Sequence, residues 1–460
     1  MNVVARKKKQ QQQPNRLRRE VWRLAAPAVV EQVLVMSVGI VDTAMVGRVG
    51  PDAIASVDVS NRFMMFALAV FGAIQVGTTA IVARHIGAGE RKEANEAAKQ
   101  ALLMVLSVAF PLAALGILLA PKLIGFMMIM NKAPDPRVVT QAIQYMRIVF
   151  ASMPLAMIMM TVNAVLRGAG DTRTPMAVTG LTNVINVIGN SLFIFGLGPF
   201  PRMGVAGAAL GTAIAQISGG LLVLAVLYSD RSVLHLTLRE SYRFDSQILK
   251  RILNVGIPSA VEQFLMRGGQ LVFSMIIASM GTVAMAAHAI TLNAESLSFM
   301  PGSGFGIAAT TLIGQYLGAK DPEMAERSSY ESAKMGVAVM GVMGLIFFLM
   351  PSPLIRLFTN DPEVIALGTK CLRLVAISQP FLAMLMILSG ALRGAGDTRW
   401  VMIATVLALW PLRVGLAYVL GVYLGWGLVG AWTAMVVDLI ARASLMTFRF
   451  RSGRWKTIRV

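Results

Sequence analysis

Asp42 is a carboxylate in an apolar run, Gly39-Ile-Val-Asp-Thr-Ala-Met-Val-Gly47. Read as a helix, the run places no basic residue one turn before it, at 38 or 39. Val46 stands one turn after it, and Arg48, six residues on, faces another direction. An ionisable group at membrane depth costs about 2.5–3.5 kcal/mol on insertion scales. Asp42 therefore calls for a water-filled cavity or a bound cation. Glu31 lies eleven residues earlier. That is close to three turns, which puts both carboxylates on one helix face about 16 Å apart. They form a line of cation sites along one wall, or else Glu31 has a hydrogen-bonded packing role.

Other polar groups in apolar runs extend the set. Asn183, Asn186 and Asn190 recur along one run, and the last two are four apart and share a face. Their amide oxygens could complete a sodium shell with Asp42, because hard cations take oxygen ligands. The alternative is hydrogen bonding between helices. Glu295 precedes Pro301, Gly302 and Gly304, so a bend is expected beyond it. It is a candidate for ion or substrate, or for a buried pair with Arg413. Asp58 with Arg62, and Asp438 with Arg442, are spaced to neutralise each other as structural pairs. Chemistry of other kinds lacks material. Cys371 is the one cysteine, and His85, His235 and His288 are scattered, so neither a disulfide framework nor a zinc pattern is readable. No nucleophile cluster suggests an enzyme.

These residues need elements to hold them. Apolar residues make up 56% of the 460 and charged residues 14%, against about 25% charge in a soluble domain. That excludes a soluble enzyme and a disordered chain. A spanning helix needs about 20 mostly apolar residues. Twelve such segments are expected, near 20–48, 53–86, 94–119, 137–165, 174–197, 203–229, 248–280, 284–316, 326–350, 362–391, 400–421 and 427–449. Runs this long exclude a membrane barrel. With the N-terminus inside, the inner segments carry 30 Lys and Arg and the outer segments 8, which puts both termini in the cytoplasm. The net charge of +19 is thus a topology signal, and no nucleic-acid partner is expected. The tail Arg6-Lys7-Lys8-Lys9 with Gln10–Gln13 reads as disordered. A cleaved signal peptide is not expected, because the first run is long and holds Pro27 and Glu31.

The chain repeats itself. Leu-Arg-Gly-Ala-Gly-Asp-Thr-Arg occurs at 166–173 and again at 392–399, an offset of 226. Pro27, Glu31, Gln32 and Leu34 match Pro258, Glu262, Gln263 and Leu265 at an offset of 231, so Glu262 is the counterpart of Glu31. The difference fits a longer loop at Asn131–Pro136. Each copy holds six segments, so the copies share an orientation and form a parallel repeat about an axis along the membrane normal. The expected organisation is a basic tail at 1–19, a six-helix lobe at 20–229, a cytoplasmic linker at 230–247, a second lobe at 248–449 and a basic tail at 450–460. The glycines of the octapeptide lack the lysine and preceding strand of a phosphate loop. They read as tight turns, with Asp171 and Asp397 capping the next helices.

Taken together, these residues resemble the multidrug and toxic compound extrusion (MATE) family of cation-coupled antiporters. The resemblance runs from 20 to 449. It rests on Val41–Gly47, the two octapeptides, Ser298-Phe-Met-Pro-Gly-Ser-Gly304 and Thr311-Leu-Ile-Gly-Gln315. It implies an all-α membrane protein of twelve helices in two six-helix lobes, exporting bulky, often cationic compounds against inward Na⁺ or H⁺. It maps the coupling aspartate to Asp42 and the polar pair of the fifth segment to Asn186 and Asn190. Some members carry an aspartate where Asn190 stands, which leaves proton coupling resting on Asp42. Thr212 matches a polar position of the sixth segment. Some members use a glutamate on the seventh, where Glu262 lies. No cofactor is implied beyond the coupling ion. The expected setting is a prokaryotic inner membrane, as a monomer. The rival implied function is a lipid-linked oligosaccharide flippase of the same superfamily, but the acidic candidates favour cationic cargo.

Overall fold

A computed structural model describes residues 2–129, 135–229, 232–237 and 243–458. The helices are α1 Asn2–Gly47, α2 Pro51–Gly87, α3 Arg91–Ile129, α4 Pro136–Gly168, α5 Arg173–Phe195, α6 Val205–Leu227 and α7 Ser246–Ala278. They continue with α8 Thr282–Gly318, α9 Pro322–Leu349, the short α10 Pro351–Arg356, α11 Pro362–Ala395, α12 Thr398–Ala408 and α13 Gly427–Arg451. Among the described residues there is no strand. Nine helices among the described residues are long and apolar enough to cross a membrane, counting α12 with its continuation to Tyr423. α2, α7 and α8 are 37, 33 and 37 residues long. With these three the chain has twelve membrane helices, six in each repeat.

Local chemistry sets the helix starts. Asp135, Asp321 and Asp361 each precede a proline, and each carboxylate accepts a hydrogen bond from a first-turn N–H. The proline fixes φ where no N–H partner is needed, and the aspartate satisfies a donor the helix cannot. Departures from expectation have similar causes. The segment 400–421 is not uniformly α-helical. Beyond Ala408 it widens into π-helical stretches, Leu409–Gly415 and Tyr418–Tyr423. The first contains Pro411, which has no N–H to give to the α-helical ladder. α8 stays helical through Pro301. The repeat's longer loop falls mainly at 130–134, outside the described residues, as do parts of the linker.

The chain forms two units, residues 30–86 with 90–256 and residues 1–29 with 87–89 and 257–460. The division therefore falls inside α1 and α7, not at the linker 230–247. In the N-terminal unit α4 packs on α3 and α6, and α5 packs on α6. The linker is bound to this unit. Asn95 Nδ2 donates to the His235 carbonyl at 2.8 Å and Gln100 Nε2 to that of Arg243 at 2.7 Å, while Leu234 and Leu236 are buried. The start of α7 follows it, and Gly256 lets the helix lie on α2. A Cβ there would stand 2.2 Å from the Ala73 carbonyl oxygen. In the C-terminal unit α11 packs on α8, α9 and α13. Val21, Leu24 and Ala25 of α1 join that core. Tyr316 donates to Glu20 at 2.6 Å, and Arg18 pairs with Glu331 at 2.5 Å.

Candidate functional site

The N-terminal unit holds a cavity of about 270 Å³, lined by Gly39, Asp42, Thr43 and Val46 of α1 and by Ile54, Val57, Asp58 and Asn61 of α2. Tyr145 of α4, Asn190 of α5 and Ala208 and Thr212 of α6 complete it. Sequence periodicity put Asp42 and the two asparagines on inward faces, and the structure brings them together. Asn190 Nδ2 donates to Asp42 Oδ1 at 2.6 Å and to Asn186 Oδ1 at 3.2 Å. Asn186 Nδ2 in turn reaches Thr212 Oγ1 at 3.4 Å. Asp42 makes no ion pair among the described residues, so its charge is balanced by amide dipoles and by whatever enters the cavity. Buried Tyr145 lies beside Thr212 and in the field of Asp42.

The arrangement differs from a three-oxygen shell. Asn190 turns its NH₂ group to the carboxylate, and its own Oδ1 is buried without a hydrogen-bond partner. An ionised carboxylate only accepts, so the amide offers it the NH₂ group. Asn190 fits because residue 211 on the neighbouring helix is glycine; a Cβ there would meet Asn190 Oδ1 at 2.2 Å and Asn190 N at 2.8 Å. Asn183 takes no part in the cluster and donates to the Leu34 carbonyl at 2.7 Å.

Glu31 and Glu262 lie elsewhere. Glu31 Oε1 pairs with Arg167 at 2.8 Å, and Glu262 pairs with Arg393 at 2.9 and 3.0 Å while accepting from Thr405 at 3.1 Å. Arg167 and Arg393 are the arginines of the two octapeptides. Neither glutamate lines the Asp42 cavity. The same pairing in each repeat fastens a membrane helix to the octapeptide turn, the packing alternative for Glu31. Three turns of helix separate Glu31 from Asp42, enough to take it out of the cavity.

Glu295 belongs to the C-terminal unit, where it is buried on α8. It forms no ion pair with Arg413 among the described residues. Arg413 instead reaches Asp438 at 2.9 Å, and Arg442 holds the same carboxylate at 2.7 and 2.9 Å. The i,i+4 pair expected at 438 and 442 is thus present with a third member, which the π-helical stretch around Pro411 carries. His288 sits edge-on to Phe273 and Trp432, each 5.7 Å away. The pair Asp58–Arg62 also forms, at 3.0 and 3.2 Å.

Sequence reasoning missed Tyr145, Thr43 and Asn61 as cavity residues, and did not place Asp58 there. Tyr145 and Asn61 carried a signal, being polar groups within apolar segments. The cavity membership of Asp58 carried none, because its partner one turn away accounted for it.

Comparison with known proteins follows the same lines. A family model described as MatE matches the chain twice, over residues 27–192 and 258–419, in step with the internal repeat. The chain is 36% identical over 447 residues to the probable multidrug resistance protein NorM of Thermotoga maritima, covering 96% of this chain and 93% of that protein. It is 27% identical over 440 residues to the multidrug resistance protein MdtK of Yersinia pseudotuberculosis, covering 94% and 95%. Among solved structures, a MATE transporter crystallised in the straight conformation superposes with a TM-score of 0.87 at 23% identity, covering 95% of this chain and 97% of that one. That likeness carries the fold.

Proposed function

This chain belongs to the multidrug and toxic compound extrusion family, and we propose that it exports bulky organic cations in exchange for an inward-moving Na⁺ or H⁺ bound at Asp42. The observation that carries the reading is the Asp42 carboxylate itself. It lines a cavity of about 270 Å³ and has a neutral amide, not a cation, as its hydrogen-bond partner. A half-buried carboxylate at membrane depth with no cationic side chain beside it attracts one positive charge and is left costly without one. The names of the relatives, multidrug resistance proteins in two cases, agree with a chemically varied cargo.

The cycle follows from charge balance. An organic cation and the coupling ion compete for one carboxylate. A proton removes its charge, and Na⁺ compensates it. In either case the cavity loses its hold on the cargo, which leaves on the outer side. The protein then changes its open side, and the ion leaves inward. Asn190 is the positioning residue. With its NH₂ group toward Asp42 it favours the charged carboxylate. A half-turn of the amide presents an oxygen instead, suited to Na⁺ or to a protonated Asp42. The excess of Lys and Arg in alternate segments supports cytoplasmic termini, in a prokaryotic inner membrane. The Asp42 cavity is lined by a single chain, which makes a monomer sufficient.

The test is uptake of a fluorescent cation into proteoliposomes under a Na⁺ gradient and a pH gradient imposed separately, with wild type beside Asp42→Asn. The expected result is transport driven by one gradient and lost in the variant. Full coupled transport by Asp42→Asn would overturn the mechanism. Silence of the wild type under both gradients would turn attention to lipid-linked cargo.

A further inference from the structure

The pair Asp58–Arg62 forms as its spacing requires, yet only its acid lines the cavity. Asp58 is among the lining residues and Arg62 is not. Both side chains are exposed, at 60% and 62%, so the pair is open to exchange and is not a sealed structural bridge. The hairpin of α1 and α2 sets the depth of the two acids. Asp42 stands five residues before the end of α1 at Gly47, and Asp58 seven residues after the start of α2 at Pro51. At 1.5 Å per residue the two carboxylates lie within about 3 Å of the same level. They face one small cavity from neighbouring helices. Neither has a buried cationic partner among the described residues.

We infer that Asp58 is a second cation determinant of this cavity, and that the pocket selects compounds bearing two separated positive charges over otherwise similar compounds bearing one. This deepens the reading of Asp42 as the cation site and rests on it. The first charge of such a compound takes Asp42. The second takes Asp58, displacing Arg62, whose exposed guanidinium is left to water at little cost. Arg62 is then a built-in competitor. It screens Asp58 while the pocket is empty and raises the threshold for weakly charged compounds. Charge pairs that remain partly wet have modest strength, which suits a transporter that must release its cargo.

Ethidium and propidium test this, because they share one aromatic ring system and propidium adds a second, quaternary ammonium charge. Fluorescence polarisation titrations in detergent would give both affinities for wild type, Asp58→Asn, Arg62→Gln, the double variant and Asp42→Asn. The expected result is a wild-type preference for propidium. In Asp58→Asn the propidium-to-ethidium ratio falls about fivefold, the upper end for one partly screened charge pair. In Arg62→Gln the ratio rises, and the double variant follows Asp58→Asn. A purely structural pair would move both affinities together and leave the ratio unchanged, which would overturn the proposal. So would a wild-type preference for ethidium. If ethidium binds, depends on Asp42 and shows no such ratio change, only this inference fails. If wild type binds neither dye, the cation-exporter reading fails with it.

Discussion

The two units are built on one repeated frame, and they treat acids within membrane helices in opposite ways. In the N-terminal unit Asp42 faces a cavity with an amide as its partner. In the C-terminal unit Asp438 is wholly buried and clasped by Arg413 and Arg442. The repeat offsets show that these are different decorations of equivalent places. Position 273, the counterpart of Asp42, is Phe, while Thr212 is the counterpart of Asp438 and Val187 that of Arg413. A carboxylate closed in by two guanidinium groups is neutralised and immobile. A carboxylate closed in by amides still asks for a cation. Pairing therefore separates scaffold from site here: the wholly buried acid carries its own cations, and the half-buried one that lines a cavity does not.

The contrast is sharpest for loss of each acid. Asp42→Asn is expected to reduce gradient-driven transport to the level of protein-free liposomes while the protein keeps its melting temperature, because an amide fits among Asn190, Thr43 and Tyr145. Asp438→Asn is expected to do the reverse. It leaves buried Arg442 and part-buried Arg413 without the carboxylate they share, a loss of about 3–5 kcal/mol. That should appear as a marked fall in thermal stability in detergent. Transport per folded molecule should survive. If Asp438→Asn folded normally and uncoupled transport, the C-terminal unit would also be an ion site and the contrast would collapse.

A smaller effect tests how the amide is held. Gly211→Ala puts a methyl group where Asn190 Oδ1 now sits, 2.2 Å away. Overpacking of this kind costs about 1–3 kcal/mol. Here it should also turn or displace Asn190, so cation affinity should fall further than stability alone implies. The repeat counterpart, Val437, already carries a branched side chain. The requirement for glycine belongs to the site and not to the shared frame.

The comparison also shows what was legible in the sequence. The helices were, because apolar runs longer than about 20 residues have few alternatives in lipid. Asp42, Asn186 and Asn190 were legible because polar groups at that depth need a reason. The choice for Glu31 between cavity wall and packing role was left open, because helical periodicity gives a face but not the neighbour opposite it. That neighbour is Arg167, 136 positions away. Arg413 beside Asp438 was hidden in the same way, and it also depends on a π-helical stretch signalled only by Pro411. The passage of α1 and α7 from one unit to the other was not legible. Each helix is continuous in sequence and hydropathy, and only close packing, as of Gly256 on Ala73, divides it.

The smallest effect comes from the two identical octapeptides. Asp171 accepts from the N–H groups of Arg173 and Thr174, each at 3.0 Å, and from the Thr174 hydroxyl at 2.6 Å. It does the capping that the sequence suggests. Asp397, in the same eight residues, makes no capping bond and pairs with Arg449 at 2.7 Å. Asparagine caps about as well as aspartate, so Asp171→Asn should change stability by no more than a few tenths of a kcal/mol. Asp397→Asn removes the charge from a part-buried pair, and should cost about 1 kcal/mol. Arg449→Gln should mimic Asp397→Asn, and the double substitution should cost less than the sum of the two. Denaturation curves of the four variants decide the matter. Equal effects at 171 and 397 would mean that the shared sequence, and not its surroundings, sets what these aspartates do.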